Sequence, residues 1–320
     1  MLWSTCCQDV DCTCIDELRY SAPMDRDEPP ETPGSTPESG DPAGSSGVPA
    51  RDPSASLFDV VSPAALLAVA LGCLILYQVV ALVLWNGKPG AGVWGLALSP
   101  VVGILAPVAV LIHSLRLSVR DEIWLYSLPP RHLLGTVLVA LGAVPIAYAA
   151  SAFSARYMPP DPGYFEMFRS LVPTDASGFV AGFLSVVVLA PLGEEVIFRV
   201  LVLGVLCRQL PAAAAAVLAG ILFGAAHLVP WMMLPVSLLG VILGFLTLTT
   251  GSIVSAWIGH AIFNGVAFAE LVATRDAETP GLDRLSLRPE VLVLAGILLV
   301  VGFRLIRRTV TPPETPPATT

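Results

Sequence analysis

Chemistry-bearing residues are rare in the second half of this chain, and they fall in a pattern. Between Ala176 and Ala269 the formally charged residues are Glu194, Glu195, Arg199 and Arg208, and three of them lie within six positions. His227 and His260 sit in the apolar runs that follow, and Asn264 comes four residues after the second. A charged side chain at the centre of a membrane helix costs about 2.5–3.5 kcal/mol on insertion scales, so such groups are expected to be paired and turned towards a bundle interior. Interhelical hydrogen bonds return only about 0.6 kcal/mol each. Two Glu, two His, one Arg and one Asn over three apolar runs therefore read as a site rather than as adhesive between helices.

Helical spacing sorts their roles. Glu195 and Arg199 are at i and i+4 and share a face, whereas Glu194 points about 100° away. Glu195 is the expected partner of Arg199, which leaves Glu194 free to work on a water molecule. Pro191 and Gly193 are expected to distort or start the helix just before the pair. Phe223 and His227 are again i and i+4, so the ring is expected to help fix the imidazole, and His260 and Asn264 share a face in the same way. His227, His260 and Glu194, converging from three helices, could hold a divalent metal, Zn²⁺ first, with a position open for water. The same groups could serve without metal, with Glu194 as general base and a His and Asn264 donating to a developing oxyanion. Spacing leaves both open.

Other hydrolytic and nucleotide-binding patterns are absent. The chain has no His-Glu-x-x-His, Gly-x-Gly-Asp or Gly-x-Ser-x-Gly, and no phosphate-binding glycine loop. Gly240 and Gly244 form a GxxxG, and with Ser252, Ser255 and Gly259 it reads as a signal for close helix packing.

The elements that must position these groups are membrane helices. The chain has 320 residues, 55% hydrophobic and 13% charged, with a mean hydropathy of +0.76; a soluble globule is excluded. Eight apolar runs, near 63–85, 93–114, 132–154, 177–203, 212–229, 231–249, 251–273 and 289–306, are each long enough, or nearly so, for a hydrocarbon core of about 30 Å. Lipid cannot satisfy open backbone groups, so the expected fold class is all-α: a polytopic transmembrane helical bundle of about eight spans. The expected division is a solvent-exposed acidic, Pro-rich tail over 1–56, N-terminal transmembrane helices over 57–173, a catalytic core over 174–274, a loop and last helix over 275–310, and a C-terminal tail over 311–320.

From Pro23 to Pro53 the composition of Pro, Glu, Asp, Ser and Gly predicts disorder. Ahead of it, Cys6, Cys7, Cys12 and Cys14 lack zinc-knuckle spacing and a nearby His, and Met24 offers a later start. The net charge of -8 resides largely near the N-terminus and gives nucleic acid no basic footprint. The segment 155–175, with Tyr157, Tyr164, Phe165 and Phe168, reads as an aromatic belt or an interfacial helix. Positive-inside counting, with Arg51, Arg116, Arg120, Arg131, Arg208, Arg304, Arg307 and Arg308 on one side, favours cytoplasmic termini of a multi-pass protein in the cell membrane.

Taken in order, Glu194-Glu195-Val196-Ile197-Phe198-Arg199, Phe223-Gly224-Ala225-Ala226-His227 and His260-Ala261-Ile262-Phe263-Asn264 resemble the three motifs of the CPBP intramembrane proteases, which include the CAAX prenyl endopeptidases and Abi-type relatives linked to bacteriocin self-protection. The resemblance covers about residues 175–273. It implies an intramembrane endopeptidase acting on a membrane-associated protein or peptide. In it, Glu194 activates water, His227 and His260 orient that water or bind a metal, and Asn264 stabilises the oxyanion. Glu195 and Arg199, with Phe223 beside them, hold the scaffold. Val200 stands where the first motif usually continues with Gly. The competing expectations are a non-catalytic membrane protein for bacteriocin immunity or peptide binding, and a carrier using Glu194 and the histidines as a proton relay.

Overall fold

The computed structural model describes residues 56–85, 91–161, 163, 172, 175–274 and 287–307. The two tails, with the N-terminal cysteines, and Tyr164, Phe165 and Phe168 lie outside them.

Every apolar run becomes helix, and no strand occurs among the described residues. A short helix, α1 (Leu57–Val60), leads into α2 (Pro63–Trp85). α3 covers 91–114 through a wide turn at Val101–Leu105. After α4 (Val119–Glu122) come α5 (Pro130–Tyr157) and α6, a composite helix over 176–207. α7 (Ala212–Ala225), α8 (Pro230–Thr250), α9 (Ile253–Ala273) and α10 (Pro289–Ile306) complete the bundle. By length and composition α2, α3, α5, α8, α9 and α10 can each cross a membrane.

The fourth and fifth runs differ in outline from the sequence expectation. The fifth ends as helix at Ala225, not near residue 229. Its 14 residues rise about 21 Å, short of a hydrocarbon core of about 30 Å. The chain turns there through Leu228, at φ 55°, and α8 packs back along α7 as a hairpin. Close approach makes that pairing possible: a Cβ on Gly224 would sit 2.1 Å from Ser237 Oγ, and one on Gly240 2.9 Å from Gly220 Cα. Gly240 and Gly244 thus pack helices, Gly244 against Ala216.

The fourth run neither breaks nor starts at Pro191. α6 passes through it with wide, π-type turns on either side, at Leu184–Leu189 and Val196–Leu203. Proline lacks an N–H and crowds the carbonyl four residues back, here on Val187, and a wide turn at that level relieves the crowding. Pro107 stands in the same relation to the wide turn of α3. Carbonyls of the first α6 turn find side-chain donors from α9 instead: Trp257 Nε1 donates to Val188 O and Asn264 Nδ2 to Val186 O, both at 2.9 Å.

One end of the bundle is closed by the segment between α3 and α5. Trp124 is buried and stacks on Phe58 with ring centroids 6.4 Å apart. Ser252 Oγ donates to Tyr126 O at 2.6 Å, and Ile253 N to Trp124 O at 3.1 Å, which fixes the start of α9. Gly251 makes the sharp α8–α9 turn at φ 70°, a conformation glycine adopts without strain.

Candidate active site

The site is built on α6, the end of α7 and the middle of α9. At the end of the proline-distorted stretch Ala190–Glu195, two neighbouring carboxylates meet different surroundings. Glu195 is fully buried, and its Oε2 accepts from Arg199 Nε at 2.6 Å. Arg199, also fully buried, lies with Cζ 5.2 Å from the centroid of the Phe223 ring. Glu194 faces the other way and keeps 18% of its side chain exposed.

His260 joins the two carboxylates. Its Nδ1 lies 2.8 Å from Glu195 Oε1 and its Nε2 3.8 Å from Glu194 Oε2. A carboxylate held by Arg199 is the acceptor, so Nδ1 donates, and Nε2 is turned towards Glu194. His227, past the end of α7, is tied in the same sense: its Nδ1 donates to Phe223 O at 2.9 Å, leaving Nε2 open at an exposed position. Phe223 is the hub. Fully buried, it meets His227, His260 and Phe198 with centroids 5.1, 5.5 and 5.0 Å away, each near edge-to-face.

The structure therefore brings Glu194, Glu195, Arg199, His260, Phe223 and His227 into one cluster. Asn264 is on the same helix as His260 but commits one amide N–H to Val186 O. Its other N–H and its carbonyl oxygen are left available. No hydrogen bond or ion pair joins His227 to Glu194 or His260 among the described residues; Phe223 links them.

For a metal the fit is incomplete. Both imidazoles have Nδ1 engaged by an oxygen and Nε2 open, as metal-ligating histidines do. No three His, Cys, Asp or Glu side chains among the described residues, however, come together closely enough to hold an ion.

Sequence reasoning passed over three polar residues. Glu270, inside the seventh apolar run, accepts from Tyr148 Oη of α5 at 2.6 Å; a charge inside an apolar run was the signal for it. Tyr77, on α2, lies near enough to Glu194 for the two to interact electrostatically, a relationship that no spacing along the chain reveals.

Comparison with known families falls on these same helices. Residues 176–266 match the family model described as type II CAAX prenyl endopeptidase Rce1-like. No curated protein and no solved structure matches the chain significantly. The matched stretch runs from the first residue of α6 to just past Asn264, and takes in the whole cluster around Phe223. The similarity to these endopeptidases covers residues 176–266, 91 of the 320, within an all-α, multi-pass membrane protein.

Proposed function

We propose that this protein hydrolyses a peptide bond in a membrane-associated protein or peptide, with Glu194 as the base that activates water. One observation carries the reading. Of two adjacent carboxylates, Glu195 is sealed against Arg199 and His260, while Glu194 keeps an exposed edge beside Nε2 of His260. A buried, neutralised partner fixes the backbone and the imidazole, and the accessible carboxylate is left to take a proton.

In the reaction, a water donates one hydrogen bond to Glu194 and the other to Nε2 of His227, and its oxygen attacks the scissile carbonyl carbon. The proton passes to Glu194 as the C–O bond forms. The uncommitted N–H of Asn264 donates to the resulting oxyanion, and such donors are worth about 2.7–4 kcal/mol where measured. Collapse breaks the C–N bond, and the leaving nitrogen takes the proton from Glu194. His260, held at Nδ1 by Glu195, keeps Nε2 turned towards Glu194. Cleavage of a prenylated C-terminal CAAX segment is the substrate class that the family suggests.

A second reading has His227, His260 and Glu194 holding a divalent metal, Zn²⁺ first, which would supply a Lewis acid and a more acidic bound water. Its support is the open Nε2 of both rings. It requires the three side chains to draw closer than they stand.

Both termini are assigned to the cytoplasmic side of the cell membrane. Support comes from the exposed arginines Arg116, Arg120, Arg131, Arg304 and Arg307 at the end of the bundle where the described chain begins and ends.

The test is cleavage of prenylated and unprenylated membrane peptides by the purified protein and by Glu194→Gln and His227→Ala. Loss of at least about 100-fold in both variants is expected. Equal cleavage by all three overturns the assignment, and a cellular immunity phenotype that survives Glu194→Gln assigns the protein to non-catalytic peptide binding.

A further inference from the structure

Charge is segregated in this molecule in a way the site does not use. Residues 1–56 hold eleven of the 25 acidic residues and three of the 17 basic ones, so their formal charge equals the -8 of the whole chain. The remaining residues balance in number but not in place. At the end of the bundle closed by Trp124, five arginines, Arg116, Arg120, Arg131, Arg304 and Arg307, are exposed. Packing puts three of them together, since Gly135, four residues into α5 from Arg131, lies against Gly302 O and Ile306 of α10; Arg116 and Arg120 stand on the segment that closes this end, where Leu125 N donates to Arg120 O beside Trp124. None of the five guanidinium groups has an ion-pair or hydrogen-bond partner among the described residues.

The carboxylates at this end are largely spent. Asp59 is held by Arg208 at 2.9 Å, and Glu122 is buried and accepts from Leu57 N at 2.9 Å, leaving Asp121 as the exposed carboxylate without a partner among the described residues. These contacts also fix where the N-terminal segment meets the bundle. Ser56 N donates to Asp59 Oδ2 at 2.9 Å, so the chain arrives beside the arginines.

We propose that the acidic segment 25–41 of this chain docks on the arginine face formed by Arg116, Arg120, Arg131, Arg304 and Arg307. The segment carries Asp25, Asp27, Glu28, Glu31, Glu38 and Asp41 against Arg26. The fifteen residues after Asp41, up to Ser56, can span at most about 50 Å, enough to pass over neighbouring helices spaced about 8–10 Å apart. Tethering makes the encounter intramolecular, at effective concentrations on the order of millimolar. Positive-inside sorting accounts for the side on which the arginines lie but leaves them without counter-charge, and this segment supplies it from the same end. The attachment is electrostatic and weakens as the Debye length falls from about 10 Å at 0.1 M salt to about 3 Å at 1 M.

The experiment uses the full chain in neutral-detergent micelles and a glutamate-specific protease, whose targets in the segment are Glu31 and Glu38, Glu28 being followed by Pro29. Cleavage rates, normalised to the free peptide of the same sequence, are read at about 50 mM and about 500 mM salt. Wild type is expected to be cut about tenfold more slowly at low salt than at high salt. R116Q/R120Q/R131Q/R304Q/R307Q is expected to be cut fast at both, and the version with lysine at the five positions to keep the protection while showing that the fold survives. Equal low-salt rates in wild type and the glutamine variant overturn the proposal. If, in addition, the glutamine variant loses co-purifying phosphatidylglycerol, the face belongs to lipid headgroups instead.

Discussion

Nδ1 of His260 lies 2.8 Å from Oε1 of Glu195, a carboxylate with no exposed surface whose other oxygen is bound to Arg199. The imidazole is thus oriented from behind, by a group no substrate can touch, and its free nitrogen is aimed at Glu194.

This arrangement separates the two carboxylates experimentally. Glu194→Gln is expected to stay within about 1 kcal/mol of wild type in stability while losing at least about 100-fold in hydrolysis. Glu195→Ala leaves Arg199 a buried charge without its partner and is expected to cost about 3–5 kcal/mol. Thermal unfolding in detergent, run beside a peptide-cleavage assay, reads both, and the reverse pattern would exchange the roles.

Phe223 separates packing from chemistry less cleanly, because it does both. Phe223→Ala is expected to cost about 3–5 kcal/mol and to lower turnover as well, since His227 and His260 lose the ring against which each is set. Phe223→Leu keeps part of the volume, so stability should recover further than turnover does. Parallel recovery of the two would reduce Phe223 to a core residue.

The α7–α8 hairpin depends on contact between backbones. A methyl group at position 224 would meet Ser237 Oγ at 2.1 Å and Met233 O at 2.6 Å, whereas one at position 72 meets nothing within 4 Å. Gly224→Ala is therefore expected to destabilise by at least about 1–3 kcal/mol and to displace His227. Gly72→Ala should be neutral or stabilising by about 0.4–1 kcal/mol. Melting temperatures of the pair decide it.

At the junction of α1 and α6, the hydrogen bonds from Ser56, together with Arg208, hold the Asp59 carboxyl down at about 2, against 3.8 for the ordinary group. A depressed folded-state value means that its contribution is fully present above about pH 4 and is lost as pH falls through about 2. Acid unfolding of wild type and Asp59→Asn is expected to differ by a constant amount above that window and to converge within it. A difference that persists below pH 2 would place the effect elsewhere.

Chelation distinguishes the two ways of activating water. If Glu194 and His227 act directly, exhaustive dialysis against a chelator leaves hydrolysis within about twofold of the untreated protein. A loss of at least about 100-fold, restored by zinc and absent from a variant lacking His227, would assign the metal reading.

The sequence by itself determined the all-α bundle and the residues worth watching. Apolar runs about 20 residues long leave the backbone no alternative to helix in lipid, and the expense of charge there singles out Glu194, Glu195, Arg199, His227 and His260 against an apolar background. Spacing also paired Glu195 with Arg199, because i and i+4 share a face of one helix. Only the tertiary structure decided what lies between helices: that Glu195 and not Glu194 orients His260, that Phe223 stands between the two imidazoles, that Asn264 reaches the carbonyl of Val186, and that α7 stops short at Ala225. Helical periodicity gives the direction of a side chain about its own axis. The crossing of two axes is fixed by how closely their backbones approach, and that depends on the fit of Gly220 to Gly240 and of Gly224 to Ser237, which no single-helix pattern contains.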